Sequence, residues 1–200
     1  TGEVPGLIPT DKWKRHLYGE SWLQGDSYNA AIGQGFVLAT PLQVVNATAT
    51  VANGGTVHRP QLVYQVMDAD GNVVRELEPE VIREIGASEH TMDLVQHGML
   101  LAVDQGTAPL ARVPGIQVAG KTGTADSNTD AWFVGYTPDM VTAVWIGEDT
   151  KREMSYPNLG VVGSGRAAQI WAAYMKQALN GVPPRDFQMP AGISTGVKIC

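Results

Sequence analysis

The residue types best suited to chemistry in this 200-residue chain fall in one short run, Lys121-Thr122-Gly123-Thr124, inside the stretch VAGKTGTADSNTDAWFVGYTP. On a strand at a sheet edge, unpaired main-chain groups could accept an extended peptide as one more strand. Side chains two residues apart on a strand share a face, so the Thr122 and Thr124 hydroxyls could together bind a carboxylate. Lys121 adds a fixed positive charge beside them. Gly123 removes a side chain that could block the approach, and the Thr124 backbone N–H could donate to an oxyanion. Glycine weakens an ordinary strand, so Gly120 and Gly123 imply a close approach of something to this backbone. A bare tetrapeptide of this kind is more often just a twisted strand, and its surroundings have to decide.

Those surroundings predict three strands in quick succession, Gln117 to Ala125, Ala131 to Tyr136 and Val141 to Gly147. The linkers DSNTD and TPDM are too short for a crossover helix, so the strands form an antiparallel meander. Upstream, Thr40, Pro41 and Gln43 carry the signals of a capped helix from Pro41 to about Asn53, stopped by Gly54 and Gly55. A short helix is expected at Trp13 to Tyr18, and Gly25 to Gly35 reads as a turn-rich loop. Gly33-Gln34-Gly35 within it reads as a backbone turn near the cleft. Asp70-Gly71 predicts a hairpin between Arg59–Asp68 and Val73–Leu77. Ser88 is placed to cap a helix from Glu89 to about Asp104, with Met92, Val95, Met99 and Val103 as its apolar stripe. A last helix, about Arg166 to Leu179, would bury Ala167, Ile170, Trp171, Tyr174, Met175 and Ala178 against the sheet. Residues 1–180 are assigned to one domain and residues 181–200, rich in Pro and Gly, to an extended tail. The fold class is α+β, an antiparallel sheet packed with helices.

Composition excludes several functions. Lys and Arg total 14 against 20 for Asp and Glu, a net charge of -6 with no basic cluster, which argues against nucleic acid. No apolar segment reaches the roughly 20 residues a membrane span needs. Cys200 is the one cysteine. His90 and His97 share a predicted helix without a third ligand nearby in sequence, so no metal is called for, and no cofactor. Trp132, Trp145 and Trp171 read as core. The absence of a start methionine and the strand-like ending predict a piece cut from a longer protein.

The blocks GEVPGLIPT, GDSYNAAIGQG, TPLQ, NGG with RPQLV, AGKTGTA, AWFVGYTPD with AVWIG, and AAQIWAAYM with FQMPAGI follow one another along nearly the whole chain. In order and spacing this resembles the C-terminal portion of the transpeptidase domain of penicillin-binding proteins. The early blocks look like the monofunctional type and the DFQMPAGI ending like the bifunctional type. The resemblance implies an extracytoplasmic enzyme that cross-links peptidoglycan stem peptides ending in D-Ala-D-Ala through an acyl-serine, and that binds β-lactams. It implies that Lys121 shapes the local electrostatics and proton path, that Thr122, Gly123 and Thr124 hold the substrate, and that the Thr124 N–H completes an oxyanion hole. Rivals of the same fold are a D,D-carboxypeptidase or β-lactamase, and a β-lactam-sensing receptor domain.

The family's nucleophile is a serine followed three residues later by lysine, one helical turn away. Ser21, Ser27, Ser88, Ser127, Ser155, Ser164 and Ser194 are followed instead by Gln24, Ala30, Thr91, Asp130, Asn158, Ala167 and Val197. The motif is absent from these residues. Ser27-Tyr28-Asn29 imitates the family's second motif, but that motif belongs upstream of TGEVPG, so it reads as a structural loop. The chain alone is therefore expected to be inactive and to leave apolar surface open to a missing N-terminal partner or to a second copy.

Overall fold

A computed structural model describes residues 2–125, 128–150 and 152–188. Helix α1, Asp11–Tyr18, starts where the Thr10 hydroxyl accepts the Trp13 N–H at 3.2 Å and ends at left-handed Gly19. Residues expected to be a loop form helix α2, Gln24–Ala31. Gly25, Asp26, Ser27 and Asn29 have poor helix propensity, but a tertiary anchor overrides it. Asp26 accepts the Leu23 N–H at 2.8 Å and the ammonium of buried Lys14 at 2.7 Å. The Lys14 hydrogen bond holds the Asp26 carboxyl below the usual range and raises Lys14 in turn.

Helix α3, Pro41–Ala52, carries the expected reciprocal cap. The Thr40 hydroxyl accepts the Gln43 N–H at 3.2 Å, and the Gln43 side chain accepts the Thr40 N–H at 3.0 Å. Two small antiparallel pairs follow. Strand β1, Thr56–His58, pairs with β4, Val81–Glu84, while β2, Gln65–Met67, and β3, Val73–Glu76, form the hairpin around Asp70-Gly71. The hairpin strands are shorter than expected, and the pairing of β1 with β4 was not signalled by any turn. Helix α4, Glu89–Asp104, has Ser88 as its cap; Met92 and Val103 are buried, whereas Val95 is exposed.

The centre is a three-stranded meander of β5, Ala119–Thr124, β6, Asp130–Tyr136, and β7, Val141–Gly147, in that spatial order. Helix α5, Ser164–Ala178, crosses one face. Its buried residues are Ala167, Ala168, Trp171 and Met175. Ile170 and Tyr174, expected in the core, lie outside it, because the helix presents the 167/171/175 row, spaced four apart, to the sheet. Trp171 meets Phe133 edge-on at 5.1 Å and donates its indole N–H to the Thr142 carbonyl at 2.9 Å. Trp145, also expected in the core, is 45% exposed; its ring leans on half-buried Trp132, and Asp130 accepts its N–H at 2.9 Å.

A short hairpin of β8, Ser155–Tyr156, and β9, Gly160–Val161, sits beside a second small core of Ala131, Met154 and Val162. Residues 183–188 carry no regular structure and are tied to the sheet end. Arg185 pairs with Asp139, the Phe187 N–H donates to the Gln117 side chain at 2.8 Å, and the Phe187 ring meets Tyr136. Residues 189–200 of the expected tail lie outside the described residues. No helix among the described residues is long and apolar enough to cross a membrane. Large apolar side chains are exposed at several places, among them Ile32 and Leu38 near the meander's open edge.

Candidate active site

Lys121 to Thr124 lie on β5, an edge strand whose only ladder partner among the described residues is β6. Register fixes which groups are free. Lys121, Thr122, Gly123 and Thr124 oppose Val134, Phe133, Trp132 and Ala131, and the next pair is bonded directly, with the Ala125 N–H donating to the Asp130 carbonyl at 3.0 Å. Amides alternate sides along an antiparallel strand, so Gly123 and Lys121 also turn toward β6, and the N–H and C=O of Thr122 and Thr124 point away from it. Two contacts agree with that direction. The Lys121 ammonium donates to the Thr122 carbonyl at 2.7 Å, and the Gln34 side-chain amide donates to the Thr124 carbonyl at 2.9 Å.

The side chains alternate as well. Thr122 and Thr124 share the face of Phe133 and Ala131, whereas Lys121 and Gly123 share that of Trp132 and Val134. The two hydroxyls are thus on one side, as expected. Lys121 starts from the opposite face and reaches the edge by folding its ammonium onto Thr122. The Thr122 hydroxyl lies 3.4 Å from that of Thr107, in the segment after α4. Lys121 is exposed and the next three residues are half-buried. On the Lys121 face lies a cavity of about 430 Å³, lined by all four residues and by Gln34, Val37, Asp130 and Trp132 among others.

The two glycines answer to different neighbours. A Cβ on Gly120 would stand 2.5 Å from Phe133 Cζ and 2.9 Å from the Val134 carbonyl oxygen. What approaches Gly120 is the protein's own core. At Gly123 the nearest atom to an added Cβ is Trp132 Cβ, at 3.2 Å. That contact is tight but longer than either at Gly120, and the glycine leaves the cavity wall open.

Ser27, Tyr28 and Asn29 do not line this cavity, and the Ser27 hydroxyl accepts the Trp22 indole N–H at 2.8 Å. Sequence reasoning placed Gly33-Gln34-Gly35 near the cleft without giving Gln34 a partner, and it passed over Thr107 and Asp130. The signal for Gln34 was its place between two glycines, both of which adopt positive φ. A larger cavity, about 700 Å³, lies at the other end of the sheet and holds none of the predicted site residues. Tyr136 lines it; burial pushes its phenol up to about 12, and its hydroxyl has no hydrogen-bond partner among the described residues.

An edge strand with outward amides, paired hydroxyls and a nearby ammonium is suited to holding an extended peptide that ends in a carboxylate. The sequence matches the family described as penicillin binding protein transpeptidase domain over residues 1–159. The chain belongs to this family. It is 39% identical over 164 residues to penicillin-binding protein 1A of Aquifex aeolicus, covering 82% of this chain and 22% of that protein. Penicillin-binding protein 1A of Neisseria meningitidis is 34% identical over 178 residues, covering 84% of the chain and 21% of the relative. The chain thus spans about a fifth of the length of these relatives. Among solved structures it is similar to penicillin-binding protein PonA1 of Mycobacterium tuberculosis, with a TM-score of 0.67 at 27% identity, covering 84% of this chain and 47% of that one. Penicillin-binding protein 2 of Pseudomonas aeruginosa, solved with WCK 5153, gives a TM-score of 0.64 at 30% identity over 89% of this chain and 38% of that one. The α+β fold of a transpeptidase fragment is therefore established.

Proposed function

We propose that this chain is the C-terminal wall of a peptidoglycan D,D-transpeptidase site, working at the extracytoplasmic face of a bacterial membrane. The observation that carries the reading is the open outer edge of β5, where the Thr122 and Thr124 amides face away from β6. A stem peptide ending in D-Ala-D-Ala adds along that edge. Its terminal carboxylate meets the Thr122 and Thr124 hydroxyls and the Lys121 ammonium, which swings off the Thr122 carbonyl to reach it. A serine supplied by the N-terminal part of the domain attacks the penultimate carbonyl. The tetrahedral oxyanion takes a hydrogen bond from the Thr124 N–H. The peptide C–N bond breaks, the last D-alanine leaves with the serine's proton on its amine, and an acyl-serine remains. An amine on a neighbouring stem then attacks the ester, forms the cross-link and frees the serine. A β-lactam acylates the same serine.

The test uses labelled penicillin with this chain alone and with the protein that carries it together with its upstream residues. The longer protein is expected to gain one covalent adduct, on a serine upstream of Thr1. The chain alone is expected to gain none. An adduct on any of the chain's seven serines would overturn the assignment of the nucleophile. D-alanine release that is redirected into a new amide when an acceptor amine is added marks transpeptidation; release indifferent to the amine marks a carboxypeptidase.

A further inference from the structure

The open edge of β5 is already partly occupied. Of its outward carbonyls, that of Thr122 holds the ammonium of Lys121, carried on a flexible four-carbon stem, and that of Thr124 holds Gln34 Nε2. The second donor is anchored. The Gln34 N–H donates to the Asn29 carbonyl at 2.8 Å, and Gly33 and Gly35 flank it at φ 73° and 70°. A Cβ on Gly35 would meet Asn29 Cβ at 3.2 Å, so backbone conformation and space both select glycine there. Asn29 belongs to α2, which the Lys14–Asp26 ion pair ties to α1. The amide of Gln34 is thus delivered to a carbonyl 90 residues away by a loop with little freedom of its own.

In antiparallel addition, the residue opposite Thr124 exchanges two bonds with it: its carbonyl accepts the Thr124 N–H and its own N–H donates to the Thr124 carbonyl. In the function proposed above, on which this step rests, that residue is the one whose carbonyl is attacked. A carbonyl oxygen has two lone pairs and accepts two donors. We propose that Gln34 is a positioning residue: it occupies one lone pair of the Thr124 carbonyl from the cavity side and holds the oxygen so that the other receives the N–H of the acylated residue. The Thr124–Ala125 peptide plane is then gripped from both sides, by the Asp130 carbonyl on the Ala125 N–H and by Gln34 on the Thr124 oxygen. The oxyanion donor sits on the preceding plane, Gly123–Thr124, whose direction β6 already fixes. Gln34 therefore acts on recognition of the ligand's N–H more than on attack at its carbonyl.

The test compares two β-lactams on the full-length protein. Penicillin V has an exocyclic amide N–H next to the reactive carbonyl; imipenem has none. Gln34→Met keeps the length of the side chain and removes the donor. It is expected to slow acylation by penicillin V about fivefold to tenfold, the weight of the ligand's own N–H bond to a Thr124 carbonyl no longer held in place, while imipenem changes less than about twofold. Gln34→Leu removes the donor without adding charge and is expected to give the same split between the two drugs; it carries the comparison should the Met variant fail to fold. Equal slowing of both drugs, or no change with either, overturns the role of Gln34 alone. If the unaltered protein reacts with neither drug, the transpeptidase reading fails and the Gln34 role falls with it.

Discussion

Gly120→Ala is the sharpest test of how β5 is built. The new Cβ would stand 2.5 Å from Phe133 Cζ and 2.9 Å from the Val134 carbonyl oxygen, closer than real Cβ atoms approach. Neither neighbour can yield freely. Phe133 is fully buried with Trp171 edge-on against it, and Val134 is held in the β6 ladder. Overpacking of this kind costs about 1–3 kcal/mol. The smaller freedom of alanine in the unfolded chain returns about 0.4–1 kcal/mol, leaving a net loss of roughly 1–2 kcal/mol. Gly123→Ala meets only Trp132 Cβ at 3.2 Å on a half-buried face, so overpacking and entropy nearly cancel there, within about 0.5 kcal/mol. Urea unfolding followed by far-UV circular dichroism measures both. Phe133→Leu removes the clashing ring edge, so in that background Gly120→Ala should recover about 1 kcal/mol. Equal stability of the Gly120→Ala and Gly123→Ala chains, or perfect additivity with Phe133→Leu, would refute the packing argument.

Tyr136→Phe is expected to be neutral or stabilising by about 1 kcal/mol, because the buried hydroxyl lost has no partner among the described residues; a net cost in the same unfolding assay would reveal one. The same phenol makes stability fall at alkaline pH. Its folded value, about 12, lies above the ordinary 10.0, so its contribution is intact below pH 10 and disappears between 10 and 12. That loss is on the order of 2–3 kcal/mol, and the Phe variant should lack it. Thr40→Ala removes the acceptor of the Gln43 N–H and is expected to cost about 1 kcal/mol, read as a lower Tm; an unchanged Tm would mean that the cap is replaced by water.

Elements that announce themselves locally were legible in the sequence. Thr40 with Pro41 and Gln43, Ser88, and the Asp70-Gly71 turn each act within four residues, so spacing alone finds them. The meander was legible because its linkers are too short for anything else. Helix α2 was not, since its stability comes from Lys14, twelve residues upstream of Asp26. The pairing of β1 with β4 joins strands of three and four residues across the β2–β3 hairpin, and no turn residue marks it. Periodicity located α5 but gave its buried face incompletely, because the sheet beneath takes the row through Ala167, Trp171 and Met175 and leaves Ile170 and Tyr174 outside. At the site, the residue types and the edge position could be read. The bond from Gln34 to Thr124 could not, because nothing in a sequence ties a loop glutamine to a carbonyl 90 positions later.

The edge of β5 is held by three sets of contacts. Pairing with β6 aims the amides, the Phe133 ring packed over Gly120 fixes the strand against α5, and Gln34 clamps its last carbonyl. A peptide adding to such an edge orders itself but does not have to order the protein, which removes a large part of the usual entropic cost of strand addition. Lys121 is the exposed residue of the four, and its ammonium donates to the Thr122 carbonyl. On the proposed function, that ammonium leaves only for a stronger partner, and a charged terminus outcompetes a neutral carbonyl. A peptide capped as an amide lacks that charge, so the same strand geometry favours chain ends over internal segments.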